Sequence, residues 1–136
     1  GSHPGPILAV AGGSALAPLR SIIESALLSD PARAINLYFG VRSERDVFGE
    51  ARMQRLAGKH PNFRYHIVLS EESNPGRLHG LVSESLERDR PSLAGAKVYV
   101  AGPRAMVDAV AAFLRRSGLR ERDLHSDGLQ LAKAAA

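Results

Sequence analysis

Short apolar stretches alternate with longer amphipathic ones along the 136-residue chain. The first, second and fourth apolar stretches are almost continuous, which is typical of strands buried on both faces of a parallel sheet. The third alternates apolar with polar residues, which favours a place nearer a sheet edge, and the fifth is weaker. The predicted strands cover residues 7–11, 35–40, 63–69, 97–102 and 123–127.

Between these stretches, apolar residues recur every three or four positions, which predicts helices with one buried face. Ser43 and Asp46 have the spacing of a capping box, with Asp in place of the usual Glu. Gly118 is placed to end the last helix. Segment 70–77 is the most loop-like part of the chain. The predicted helices cover residues 16–28, 44–58, 78–88 and 104–116.

The alternation of strands and helices predicts an α/β fold built from βαβ units, with helices on both faces of a parallel sheet. We expect a three-layer, Rossmann-like domain with about five parallel strands in the order 3-2-1-4-5. Ligands of such folds bind at the carboxyl ends of the strands, where the strand order reverses.

Three of the predicted strand ends are rich in small residues, namely 12–15 (GGSA), 40–42 (GVR) and 101–103 (AGP). Small side chains allow a ligand to approach the backbone, and a helix that starts there directs free N–H groups at an anion. The pattern therefore indicates a phosphate-bearing ligand, although any tight strand-to-helix turn also favours glycine. The G-x-G-x-x-G fingerprint is absent because Ala15 stands where its second glycine would fall, and no P-loop motif occurs.

Composition narrows the class of protein. Hydrophobic residues make up 44% of the chain and charged residues 24%, as in ordinary soluble single domains of this length. The net charge of +4 comes mainly from arginine, which grips phosphate through paired hydrogen bonds. The aromatic residues, four Phe and three Tyr, are not interleaved with a basic cluster, which argues against nucleic-acid binding. No apolar run approaches the roughly 20 residues that span a bilayer, so we expect no membrane partner.

The chain has no cysteine, which excludes disulfides, thiolate metal sites and iron–sulfur ligation within it. The histidines other than His3, namely His60, His66, His79 and His125, lack metal-ligand spacing. We therefore expect no metal site. A reducing compartment is permitted, and we expect a cytoplasmic location.

Five motifs occur in order along the chain: AGGSALAPLRSII, LYFGVRSERDVF, RLHGLVSESL, VYVAGPRAMVDAV and LHSDGL. Together they resemble the NAD(P)-binding domain of the ferredoxin–NADP reductase superfamily. The resemblance is nearest to the reductase components of bacterial ring-hydroxylating dioxygenases and related multicomponent oxygenases, and it covers Pro6 to about Leu129. In that family an FAD-binding barrel precedes this domain, often with a [2Fe–2S] domain. The resemblance thus implies a piece of a larger flavoprotein, with a tag remnant at 1–3, the domain at 4–130 and a tail at 131–136.

The resemblance also implies which residues hold the dinucleotide. The first loop would wrap the pyrophosphate, and the fourth strand end would lie near the nicotinamide. Asp46 has helix capping as an alternative role, Arg104 has simple solvation, and Met106 has core packing. No catalytic side chain is expected, because hydride transfer from the nicotinamide needs no acid or base. The expected cofactor-binding residues are Gly12, Gly13, Ser14, Ala15, Leu16, Ala17, Pro18, Gly40, Arg42, Asp46, Ala101, Gly102, Pro103, Arg104 and Met106.

Three residues depart from the family pattern. Ala15 replaces a glycine, Ala101 replaces a cysteine near the nicotinamide, and Leu129 stands near the place of an aromatic residue. If position 15 needs a positive φ or a close ligand approach, its methyl group weakens binding, and Ala15→Gly tightens it. The departures are consistent with a slower or differently specific reductase.

Two functions from different classes remain. The leading hypothesis is a domain that binds NADH, with NADPH still open, and presents it to FAD on a domain outside this chain. Electrons then pass to a ferredoxin or oxygenase partner, and the isolated domain binds dinucleotide without turnover. The alternative is a non-catalytic dinucleotide-binding sensor or docking module. A receiver-like signalling domain fits poorly. Such a domain needs acidic residues at the end of its first strand, whereas this chain has AGG at 11–13.

Overall fold

A computed structural model describes residues 5–119 of the chain. Strands and helices alternate as the hydrophobic pattern predicts. Two short 3-10 turns, Gly13–Ala15 and Glu44–Asp46, precede the first and second helices. The strands are β1 (Ile7–Gly12), β2 (Ile35–Val41), β3 (Phe63–Leu69), β4 (Leu78–His79) and β5 (Lys97–Ala101). The helices are α1 (Leu16–Ser29), α2 (Glu50–Lys59), α3 (Val82–Asp89) and α4 (Arg104–Arg116).

All strand pairs are parallel, and the sheet has the order β4-β3-β2-β1-β5. This order confirms the predicted arrangement of the four long strands, with β5 as the predicted fourth strand. The chain moves outward from β1 to β3 and then returns to β5 on the other side of β1. The strand order therefore reverses between β1 and β5. The fifth predicted strand, 123–127, lies outside the described residues.

Two predicted helices were wrong in their boundaries. The predicted helix 78–88 begins at Val82, because Leu78 and His79 instead pair with the end of β3. The predicted helix 44–58 is divided into the 3-10 turn and α2. The chain between them is extended at Val47 and takes a left-handed conformation at Gly49, with φ of 72°.

The capping geometry of Ser43 explains the first part of that break. The carboxylate of Asp46 accepts hydrogen bonds from the Ser43 amide, at 3.2 Å, and from the Ser43 hydroxyl, at 2.8 Å. This confirms the predicted capping box, but the box starts one turn only. Phe48 follows it, and its ring lies edge-on to the ring of Phe39, with 5.4 Å between centroids.

The core lies on both faces of the sheet, and every residue of β1 is buried. Because the chain moves in one direction from β1 to β3 and then reverses, right-handed crossovers put α1 and α2 on one face and α3 and α4 on the other. Ion pairs join the helices within each layer: Arg52 to Glu24 between α2 and α1, and Arg116 to Glu87 between α4 and α3. This is the expected three-layer architecture.

A small polar cluster lies where α3 covers β2 and β3. The Tyr38 hydroxyl donates to Asp89 Oδ2 at 2.7 Å, and the Tyr38 ring stacks on His66 with 4.5 Å between centroids. His66 Nε2 lies 3.2 Å from Asn36 Oδ1. Burial lowers the pKa of His66 below its usual 6.5; the charge of Asp89 opposes this effect, and that of Arg64 adds to it.

The lowered pKa of His66 predicts a loss of stability on acidification. The unfolded chain takes up a proton near pH 6.5, whereas the folded state resists protonation, so the stability present above that pH is lost as the pH falls through and below it. We therefore expect the free energy of unfolding to decrease between pH 7 and 5. His66→Phe, which keeps a ring against Tyr38, is expected to flatten this part of the curve in urea denaturation. If the free energy of unfolding depends on pH in the same way in the wild type and in His66→Phe, His66 is not the source of the acid-induced loss.

Candidate functional site

A cleft of about 760 Å³ opens at the carboxyl ends of β1, β2 and β3, beside the turn that follows β5. It includes the point where the strand order reverses, which is where open α/β sheets bind ligands. Its walls come from the loops after β1, β2, β3 and β5 and from the start of α3. The lining residues are Gly12, Gly13, Ser14, Gly40, Val41, Arg42, Asp46, Phe48, Val68, Ser70, Gly80, Leu81, Val82, Pro103 and Met106.

The ends of β1 and β5 approach each other closely through glycines. A Cβ atom on Gly102 would lie 3.0 Å from the backbone nitrogen of Gly12. A Cβ atom on Gly12 would lie 2.7 Å from Met106 Sδ and 2.9 Å from Pro103 Cδ. Gly13, which follows, has a φ of 56°. We name the meeting of residues 12–13 with residues 102–103 the glycine corner. This close approach is possible because Gly12 and Gly102 have no side chains.

Helix α1, with its preceding 3-10 turn, and helix α4 begin at the glycine corner. None of these segments carries an acidic residue in its first turn. By contrast, the first turns of α2 and α3 carry Glu50 and Glu84. Because the first N–H groups of a helix lack partners within the helix and its dipole is positive there, α1 and α4 can receive an anion at the cleft.

Apolar side chains form the opposite side of the cleft. Phe48 is 41% exposed and Leu81 is 58% exposed, and both line the cleft. Large apolar side chains that remain this exposed within a cleft offer flat contact area for a ring. The floor beneath them is tight, since a Cβ atom on Gly40 would lie 2.3 Å from Val82 Cγ2.

Two charged residues lie on this same side, after β2. Arg42 is exposed and lines the cleft, and so does Asp46. Asp46 accepts both capping hydrogen bonds from Ser43 through its Oδ2 atom. Because Asp46 also lines the cleft, helix capping and a position in the cleft are compatible. The two side chains place one positive and one negative charge where the loop after β2 meets the cavity.

The structure brings only part of the predicted site together at the cleft. Four predicted residues are buried beside the cleft, namely Ala15, Leu16, Ala101 and Gly102. Three more lie on the first turns of α1 and α4, outside the lining: Ala17, Pro18 and Arg104. The predicted residues that line the cleft are Gly12, Gly13, Ser14, Gly40, Arg42, Asp46, Pro103 and Met106.

The conformation of Ala15 removes one reason to expect a penalty from its methyl group. Its φ is −70°, in the right-handed helical region, and its side chain is buried. The left-handed strain that would make Ala15→Gly favourable is therefore absent. Leu129, the third departure from the family pattern, lies outside the described residues.

Sequence reasoning missed the residues after β3 and around the start of α3. Val68 and Ser70 could have been found by applying to β3 the strand-end rule used for its neighbours. Phe48 and Leu81 were hidden because the apolar pattern assigned both to helices. The missed lining residues are Val41, Phe48, Val68, Ser70, Gly80, Leu81 and Val82.

Comparison with known proteins identifies the family. Residues 9–112 match the oxidoreductase NAD-binding domain family, and the chain belongs to it. The chain is 42% identical over 127 residues to the reductase component, a ferredoxin–NAD(P)(+) reductase, of naphthalene 1,2-dioxygenase/salicylate 5-hydroxylase systems from Ralstonia sp.. It is 39% identical over 126 residues to the corresponding naphthalene 1,2-dioxygenase component of Pseudomonas putida. These matches confirm the family resemblance.

The matches cover most of this chain and a minor part of each relative. They span 93% of the chain and 39% of the Ralstonia protein, and 92% and 38% for Pseudomonas putida. The crystal structure of an Amycolatopsis cytochrome P450 reductase superposes with a TM-score of 0.85 at 35% identity, over 91% of this chain and 37% of that one. The chain therefore spans a little under two fifths of the length of these reductases.

Between residues 5 and 119, no group of three or more His, Asp or Glu side chains is placed to hold a metal ion. No helix in this range is both long enough and apolar enough to cross a bilayer.

Proposed function

We propose that this chain is the dinucleotide-binding domain of an NADH-dependent flavoprotein reductase. The FAD would lie on another domain of the same polypeptide, and a ferredoxin or an oxygenase component would receive the electrons, with a [2Fe–2S] centre on a further domain. The observation that carries the proposal is the glycine corner, where two helix N-termini without acidic residues meet in a large cleft at the reversal of strand order. The family and the oxygenase-system relatives support the same function.

The cleft offers a distinct surface for each part of a dinucleotide. We assign the pyrophosphate to Gly13, Ser14 and the start of α1, because backbone N–H groups and a positive helix dipole bind phosphate. The adenosine belongs to the side after β2, as in other folds with this strand order, where Phe48 and Leu81 supply apolar contact. The nicotinamide belongs to the side of Pro103, after β5. Of the remaining predicted residues, Ala15, Leu16, Ala101 and Gly102 are buried beside these surfaces.

The chain contributes binding and orientation to the reaction. NADH, when bound, supplies a hydride to a flavin. Side chains of this cleft would hold the two ends of the dinucleotide in a fixed direction, which converts binding energy into correct alignment. No proton has to be moved by a residue of this domain, so no general acid or base is proposed.

Asp46 favours NADH over NADPH. A carboxylate on the adenosine side accepts hydrogen bonds from ribose hydroxyls and repels a 2′-phosphate. Arg42, on the same side, opposes this preference if it pairs with a 2′-phosphate, and leaves it unchanged if it stacks on the adenine, which both dinucleotides share. Titrations with both dinucleotides distinguish the two roles, and tighter binding of NADH is the expected result.

Phe48→Ala is expected to weaken NADH binding by about two- to twelvefold, because an aromatic contact contributes roughly 0.5–1.5 kcal/mol. Binding is measured from amide NMR signals of the isolated domain. Leu28→Ala serves as the control, since Leu28 is 85% exposed on α1 and does not line the cleft. Wild-type amide signals of residues 12–14 and of Gly102 that stay unchanged at millimolar NADH and NADPH would overturn the proposal. In the full-length protein, flavin content and NADH-dependent dye reduction separate a reductase from a non-catalytic module.

A further inference from the structure

We propose that Arg77 is a positioning residue that holds the two loops of the adenosine side in their binding arrangement. This inference rests on the proposed function. The first loop is residues 42–49, after β2. The second loop is residues 70–81, after β3, and it contains the two-residue strand β4. Arg77 itself does not line the cleft, so its effect on a ligand is indirect.

One guanidinium group binds two carboxylates with nearly all of its donor capacity. Arg77 donates to both oxygens of Glu50, from Nη1 and Nη2, each at 2.7 Å. It donates to both oxygens of Glu44, from Nη2 at 2.6 Å and from Nε at 3.1 Å. Its side chain is only 15% exposed. Paired, fork-shaped contacts of this kind fix direction as well as distance.

The two carboxylates bracket two lining residues of the first loop. Glu44 precedes Asp46 and Phe48, and Glu50 follows them as the first residue of α2. Arg77 lies shortly before Leu81 in the second loop. The ion pairs therefore join the wall that contains Phe48 to the wall that contains Leu81, without entering the space between them.

Further hydrogen bonds tie the loops together near this ion-pair cluster. The amide of Glu44 donates to Glu72 Oε1 at 3.2 Å, and Asn74 Nδ2 donates to Glu44 Oε1 at 3.3 Å. At the base of the loops, the amide of Ser70 donates to the carbonyl of Val41 at 3.0 Å. The base of the loops thus continues the pairing of β2 with β3, whereas farther out the link depends on charged side chains.

Loss of Arg77 has a defined physical consequence. Hydrogen bonds from its guanidinium lower the pKa of Glu44 and of Glu50, so both are ionised at neutral pH. Without the guanidinium, two neighbouring carboxylates repel each other and no longer hold the second loop. An isolated exposed ion pair contributes little, but here one removal breaks four hydrogen bonds and leaves a like-charge pair.

Arg77→Met is expected to weaken NADH binding about tenfold, which is the loss if the binding-competent arrangement falls to about a tenth of the population. ADP-ribose, which lacks the nicotinamide, is expected to lose the same factor, because the defect lies on the adenosine side. Arg52→Met is the matched control. Arg52 makes a similar two-pronged contact with Glu24, at 2.6 and 2.9 Å, between α2 and α1, and its loss is expected to leave both affinities unchanged.

Hydrogen exchange of the ligand-free domain tests the arrangement without any dinucleotide. Amides in the two loops are expected to exchange faster in Arg77→Met, and those of α1 and α4 to be unaffected. Adding Glu44→Gln and Glu50→Gln to Arg77→Met is expected to restore part of the affinity, because the repulsion is removed. Equal losses of affinity in Arg77→Met and Arg52→Met, or loop exchange that does not change, would overturn the inference. If the wild-type domain binds no dinucleotide, the proposed function fails, and the exchange comparison alone decides the role of Arg77.

Discussion

Replacement of Gly102 by alanine is expected to lower the free energy of unfolding by about 3 kcal/mol and to abolish measurable NADH binding. The new Cβ atom would lie 3.0 Å from the backbone nitrogen of Gly12 and 2.8 Å from Met106 Cε. Met106 can turn away, but the backbone at Gly12 cannot, because Gly12 pairs with Gly40 of β2 and the residues of β1 just before it pair with both β2 and β5. The φ of 156° at Gly102 also disfavours a side chain. Urea denaturation and an NADH titration measure the two effects.

Gly58→Ala provides the matched control for this experiment. Gly58 lies within α2, and a Cβ atom there would meet nothing within 4 Å. Alanine is the better helix former, so this variant is expected to gain about 0.5–1 kcal/mol of stability and to bind NADH normally. A Gly102→Ala protein as stable as the wild type, with unchanged affinity, would show that the glycine corner tolerates a side chain.

Gly40→Ala is expected to destabilise the protein by about 2 kcal/mol, a typical cost for an extra methyl group in a packed region. The added Cβ atom would lie 2.3 Å from Val82 Cγ2, and Val82 is buried at the start of α3. The strand end or the helix start must therefore move.

A double-mutant cycle with Val82→Ala tests that cause directly. Val82→Ala removes the methyl group that clashes. The stability loss of the double variant is therefore expected to be smaller than the sum of the two single losses, by at least about 1 kcal/mol. The four proteins are compared by urea denaturation. Additive losses would mean that Gly40 and Val82 are not in conflict and that Gly40→Ala acts through another contact.

The fold could be predicted largely from local patterns. The continuous apolar runs of β1, β2 and β5 and the apolar stripes of α1 and α4 each carry their own signal, because burial on two faces or on one face leaves a different period in the sequence. The pairing of Leu78 and His79 with β3 carried no such signal. Two residues are too few for a period, and their pairing depends on where the rest of the chain places them.

The candidate site divides in the same way. Its glycine corner was predicted, because small residues at the ends of buried strands are visible in the sequence. The Arg77 contacts were not, since Arg77 lies 33 residues after Glu44 and 27 after Glu50. Charged residues in loops are ordinary, and nothing in the sequence marks which of them meet. Phe48 was misassigned for a related reason, because an exposed aromatic residue and a buried one look alike in an apolar pattern.

The glycine corner and the two loops are expected to tolerate different kinds of substitution. The corner is made of main chain at van der Waals distance, so almost any mutation there is a loss, and descendants of this domain are expected to keep it whatever substrate they use. The loops are made of side chains held by other side chains, and these can be exchanged in pairs. New cofactor preferences are therefore expected to arise through the adenosine side.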